Sequence, residues 1–200
     1  MNQISSHALL LALVCAVLTA CTSTQVPQTR YFLFPIWEGS SGTRLPNSQE
    51  IRLTLEPLPL YLSQPGIVTQ FADNSFRHAR NARWAEPLQR QVERQLTQML
   101  NDAAMTSDRY PTQPNAPSLA RSVRVEIERF HFREAGYVEL IGLSFIASER
   151  NADYAQPFRI ERRIAADGYP AVVTAHTDAL EALAEEIARQ LTAAVSTVAD

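Results

Sequence analysis

Apolar residues along this chain change their period several times, and each period predicts a different element. Residues 8–18 (ALLLALVCAVL) form an unbroken apolar run, too short for a permanent membrane-spanning helix but suited to the core of a signal peptide. Tyr31-Phe32-Leu33-Phe34, ended by Pro35, predicts a first strand. Residues 36–47 contain Gly39-Ser40-Ser41-Gly42 and Pro46 and predict a loop. Ile51, Leu53 and Leu55 then alternate with Arg52 and Thr54, the period of a half-buried strand, which Pro57 and Pro59 stop or confine to an edge. Residues 67–71 and 75–77 flank Asp73-Asn74 and predict a β-hairpin with its turn at that pair. Leu88, Val92, Leu96 and Leu100 recur every fourth residue beside Met99, which predicts an amphipathic helix with Pro87 in its first turn. Trp84 stands just before that helix, placed to pack back onto it.

The helix is expected to end from residue 100 onward, and residues 110–117 (YPTQPNAP) predict a proline-rich connector. Val123, Val125 and Ile127 share one parity, whereas Phe130 and Phe132 fall on the other. Either a bulge near Glu128 shifts the register, or the strand is covered on both faces towards its end. Ala135-Gly136 predicts a turn, residues 137–147 (YVELIGLSFIA) a central strand, and residues 151–153 a second turn. Phe158, Ile160 and Ile164 alternate with Arg159, Glu161 and Arg163, giving a strand with one solvated side. Leu180, Leu183, Ile187, Leu191, Val195 and Val198 draw one helical stripe, with Asp178 and Glu181 as its start signal. Strands and a hairpin, a helix, three strands and a helix together predict a two-layer α+β domain, a largely antiparallel sheet packed against two amphipathic helices. The two halves share this rough order, but no internal repeat has useful identity.

The run at residues 8–18 is followed by Leu18-Thr19-Ala20-Cys21, which resembles the lipobox of bacterial lipoproteins. In those proteins the signal is cut before the cysteine, which is then acylated. The chain is thus expected to divide into a signal peptide (1–20), a lipidated tether (21–29) and a single domain (30–200), with Cys21 the lipidation site. The n-region departs from the usual pattern in having no Lys or Arg. Thr22 rather than Asp follows the cysteine, and by resemblance this implies sorting to the outer membrane, on its periplasmic face. A lipid anchor holds a domain to a leaflet without spanning it.

Composition removes several kinds of chemistry. The formal charge is −3, which argues against nucleic acid, where a concentrated basic face is needed. The 18 basic residues are all Arg, so neither a P-loop lysine nor a Schiff-base lysine exists. Cys15 would leave with the signal and Cys21 would carry lipid, so the mature chain offers no disulfide and no thiolate. The glycines are scattered and form no phosphate-cradling loop.

Candidate catalytic residues are few. His78 lies in a basic stretch, His131 between Phe130 and Phe132 at a strand end, and His176 two residues before Asp178. None pairs at the spacing a helical metal site needs, so structural or capping roles are expected and no metal or cofactor is implied. Gly39-Ser40-Ser41-Gly42 and Gly142-Leu143-Ser144 are fragments of a nucleophile elbow in the wrong context, a loop and a strand interior. Glu126 with Glu128, and Glu185 with Glu186, fit solvated faces. Arg77, Arg80, Arg83, Arg90 and Arg94 could meet anionic head groups or an acidic partner. A solvated flank balanced by Glu86 and Glu93 is the simpler reading. Tyr61, Leu62 and Ile67 fit either a docking surface or the core.

Arg83-Trp84-Ala85-Glu86-Pro87-Leu88, the stretch at residues 175–188 (AHTDALEALAEEIA), residues 61–68 (YLSQPGIV), Tyr31-Phe32-Leu33 and the lipobox occur in an order that resembles the PqiC-type ABC-transport auxiliary lipoproteins. The resemblance covers nearly the whole mature chain. It implies a non-enzymatic accessory lipoprotein that docks the periplasmic MCE-domain component of a lipid-transporting ABC system at the outer membrane. It implies no catalytic residues. Docking to a symmetric MCE ring would make a homo-oligomer reasonable. The competing expectations are an assembly or plug lipoprotein for an outer-membrane β-barrel and, more remotely, an envelope hydrolase using Ser40, Ser41 or Ser144.

Overall fold

The structure, a computed structural model, describes residues 28–39, 51–104, 121–146 and 154–196. Predictions that fall on residues 1–27, 40–50, 105–120, 147–153 and 197–200 lie outside the described residues. They include Cys21, Ser40, Ser41, the proline-rich connector, the turn at 151–153 and Val198.

Alternation between core and solvent builds the strands. They are β1 (Arg30–Phe32), β2 (Ile51–Leu55), β3 (Gly66–Gln70), β4 (Phe76–Trp84), β5 (Arg121–Arg133), β6 (Tyr137–Ile146) and β7 (Tyr154–Arg163). The helices are α1 (Leu88–Ala104) and α2 (Tyr169–Ser196). All seven strands form one sheet in the order β1-β4-β3-β5-β6-β7, with β2 also paired to β5. Since β6 occupies one edge of β5 along most of its length, β2 and β3 share the other edge in succession. The long ladders β5/β6 and β6/β7 and the β3/β4 hairpin are antiparallel, while β1/β4, β2/β5 and β3/β5 are parallel. The expected two-layer α+β architecture stands, with a mixed sheet.

Both helices lie on one face of this sheet. Val92, Leu96 and Leu100 of α1 and Leu180, Leu183, Ile187 and Leu191 of α2 are fully buried, opposite Val125, Ile127, Phe130 and Leu140. Each such side chain contributes roughly 1.5–3 kcal/mol on burial, so the two stripes dominate the stability of the layer. The parity change in β5 is resolved by a bulge: its register with β6 shifts between Ile127 and Arg129. The extra residue returns Phe130 to the helix face and sends Arg129, His131 and Arg133 to the open one.

Several boundaries differ from the periodicity. The last helix begins at Tyr169, not at Asp178, so His176 and Asp178 lie inside it. Val172, Val173 and His176 are buried and extend the apolar stripe backwards. Gly168, at φ +92°, and Pro170 in the first turn form the true start. The first helix continues to Ala104, and β1 is only three residues long. Strand β4 runs on to Trp84, whose ring packs on His176 of α2 at 5.5 Å and on Phe34 at 5.2 Å. Trp84 thus meets the second helix and shares one buried cluster with Leu88 and Val92 of the first.

Candidate functional site

Strand β6 carries a single charge, Glu139, among mostly apolar residues, and an acid in that setting must find positive partners or stay neutral. Cross-strand register supplies them. Glu139 pairs with His131 of β5 and with Glu161 of β7, so these side chains form one row across the open face. Arg159 donates to Glu139 Oε2 at 2.7 Å, while Arg129 and Arg133 approach Oε1 at 3.5 and 3.6 Å. The carboxylate side chain is only 1% exposed, whereas Arg159 is 62% and Arg129 49% exposed. The acid is sealed beneath guanidinium groups that themselves reach water. Glu161 holds Arg159 from the other side at 3.3 Å.

His131, fully buried, ties this cluster to the hairpin and to the 3-10 turn at Leu60–Leu62. The side-chain oxygen of Gln70 accepts from His131 Nε2–H at 3.0 Å and also from Arg133. With Nε2 carrying the proton, Nδ1 accepts the Tyr61 hydroxyl at 2.9 Å. The Phe130 N–H in turn donates to the Tyr61 oxygen. Burial pushes the imidazole down to about 4, with Arg133 and Arg129 adding to the effect. Burial pushes the Tyr61 hydroxyl up to about 12, so it remains a donor. Phe76 stacks on Tyr61 at 4.8 Å and meets His131 edge-on at 5.2 Å. His78 donates from Nε2 to the Tyr61 carbonyl at 2.7 Å, which fixes the turn over the sheet.

Further along the same face, alternation places Ile141, Leu143 and Phe145 beside the cluster, all half-buried. Arg124 lies over the Phe145 ring at 3.7 Å and reaches Glu56 at 3.8 Å. Next to it, a polar hollow of about 600 Å³ is lined by Glu56, Pro57, Arg124, Glu126 and Glu128. The open face therefore offers an apolar row flanked by guanidinium groups held at fixed positions. Such a surface can recognise carboxylates and aliphatic groups together, with the arginine forks setting orientation.

The other sequence candidates are dispersed. His176 lies on the opposite face, wholly buried between Trp84 and Phe130, with Nδ1–H donating to the Val172 carbonyl at 2.8 Å. Ser144 faces α2, its hydroxyl 3.1 Å from the side-chain oxygen of Gln190 and 3.4 Å from the Gln156 carbonyl. Glu126 and Glu128 are exposed, and Glu186 pairs with Arg189 and Gln190 on α2. In the arginine stretch, Arg94 bonds Glu86 at 2.8 Å, Arg83 bonds the Arg80 carbonyl, and Arg77 covers Phe71 at 4.6 Å. Leu62 and Ile67 are core. No group of three His, Cys, Asp or Glu side chains suited to a metal occurs among the described residues. Gln70, Arg129, Arg133, Glu139 and Arg159 escaped the sequence reading. The available signal was Glu139 itself, the single charge within residues 137–147.

Residues 38–188 match the family described as "ABC-type transport auxiliary lipoprotein component". A crystal structure of a protein described only as uncharacterized has a TM-score of 0.60 at 23% identity, covering 82% of this chain and 99% of that one. A Xanthomonas campestris protein of the DUF330 family has a TM-score of 0.58 at 16% identity, covering 87% and 98% respectively. At these identities the two structures show a shared fold. No curated protein matches the chain.

Proposed function

The chain belongs to the ABC-type transport auxiliary lipoprotein family, and from that premise we propose that it is a non-enzymatic adaptor that docks the periplasmic MCE component of a lipid-transporting ABC system at the outer membrane. Acyl chains on Cys21 hold it to the periplasmic face, and the open face of the sheet receives the partner. The observation that carries the docking surface is the row of half-buried Ile141, Leu143 and Phe145 beside Arg124, Arg129 and Arg159, on the face the helices leave bare. A surface of mixed apolar and arginine character matches the composition of protein–protein interface cores. The fixed Glu139 network supports it, because a preorganised surface loses less side-chain freedom on binding. Among the described residues no helix is long and apolar enough to cross a membrane, which fits attachment through lipid.

Co-purification from detergent-solubilised envelopes tests this reading. The lipidated protein is expected to retain an MCE-domain protein, and Leu143→Glu with Arg124→Glu to lose it while circular dichroism stays unchanged. Absence of an MCE protein at every salt concentration, or recovery of an outer-membrane β-barrel in its place, would overturn the proposal.

A further inference from the structure

The end of the sheet that bears the β5–β6 turn carries an apolar depression that the ion cluster does not use. It has a volume of about 390 Å³, and Phe132, Ile164, Ala165, Ala166, Tyr169 and Val172 form its wall; Asp167 is the one acid lining it. Ala165, Ala166 and Tyr169 are exposed. The Tyr169 ring lies 6.3 Å from Phe32, so the depression adjoins β1.

Strand topology says which end this is. Strand β1 runs parallel to β4, and β4 begins at Phe76, which pairs with Gln70. Gln70 in turn pairs with Arg133, immediately before the β5–β6 turn. Strand β1 therefore points away from the end of the sheet that bears this turn, with its N-terminal residue Arg30 towards it. Arg30 stands level with Ala82, and because the β3–β4 register shifts so that Arg83 faces Gly66, that level is only about 10–13 Å from Gln70 along β3. Cys21 precedes Arg30 by nine residues, a reach of at most about 30 Å. A lipid on Cys21 thus holds the turn-bearing end close to the bilayer, while the end where β2 meets Arg121 points away. Tyr169 presents an apolar ring with a polar tip, the side-chain type suited to a membrane interface. The small Ala165, Ala166 and Gly168 leave the hollow open beside it.

We infer that this end of the domain seats on the leaflet holding the Cys21 acyl chains, with phospholipid acyl chains entering the depression between Phe132 and Tyr169. The inference rests on the anchored-adaptor reading and adds to it an orientation and a lipid contact. It is tested on the full lipidated protein. The only other cysteine of the mature chain is acylated in that reading, so Ala166→Cys provides a single free thiol for a bimane label, and Ser122→Cys, exposed at the opposite end of β5, provides the control. Each labelled protein is reconstituted in phosphatidylethanolamine–phosphatidylglycerol vesicles containing a phosphatidylcholine brominated in its acyl chains. Loss of bimane fluorescence at position 166, with none at 122, is the expected result. Bromine on the bilayer lipids alone excludes quenching by the protein's own anchor. Equal fluorescence at both positions, quenched or not, overturns the inference while leaving the anchor intact. Failure of the protein to float with the vesicles overturns the anchor and the inference together.

Discussion

Glu139 shows how a single buried charge organises its neighbours. Its carboxylate is shielded from water, but the guanidinium groups around it are not, so the energetic debt is one-sided. Removing Arg159 leaves Oε2 without its 2.7 Å partner, and Arg159→Ala is expected to lower stability by about 3 kcal/mol. The pair Arg159→Ala with Glu139→Leu should recover most of that loss, because the exposed arginines rehydrate once the acid is gone. Urea denaturation of the two single variants and the double variant measures the coupling. The buried histidines set a pH dependence. Both are held neutral, His131 and His176 each pushed down to about 4 chiefly by burial. The unfolded chain takes up a proton near pH 6.5 while the native chain resists until about 4, so stability is full above 6.5 and falls as pH drops through that window. Each histidine accounts for about 3 kcal/mol at the acidic limit. Denaturation midpoints at neutral and acidic pH should show the fall, and His176→Leu should flatten part of it.

At the level of elements, β5 and β6 carry the architecture because they bridge both halves of the sheet. Gly142 lies at their closest approach: a Cβ there would meet the Glu126 carbonyl oxygen at 2.0 Å and the Phe158 ring at 2.7 Å. The backbone cannot yield without parting the strands, so Gly142→Ala is expected to cost about 3 kcal/mol or more. Thermal unfolding followed by circular dichroism checks it. The strands' inward and outward faces are readable from alternation, and the parity change near Glu128 signals the bulge that the β5–β6 register contains. Asp178 satisfies a capping pattern, yet α2 begins nine residues earlier, at Tyr169. The apolar stripe runs back to Val172, and the Gly168–Pro170 boundary outweighs a side-chain cap in the helix interior.

For the whole molecule, the central prediction concerns attachment. Cys21→Ala is expected to move the protein from the membrane fraction to the soluble periplasm, read by fractionation, and wild-type mature protein should carry the acyl mass by mass spectrometry. The segments that carry the family resemblance turn out to be packing elements. Trp84 of the first and His176 of the second meet in the core at 5.5 Å, and Tyr61 of a third closes over His131. A domain whose signature residues hold the fold together leaves its surfaces free to set partners.

By itself the sequence determined the inward and outward faces of the strands, the existence of two amphipathic helices and, through Leu18 to Cys21, the expectation of an anchor. Those are local properties: periodicity, turn chemistry and a short motif are complete within a few turns of chain. Tertiary structure alone decided which strands lie together, including the parallel placement of β2 and β3 along one edge of β5. It also brought Gln70, His131, Glu139 and Arg159 into one cluster across four strands. Alternation states a strand's face but not its neighbour, and a buried ion's partners come from whichever strands pair beside it.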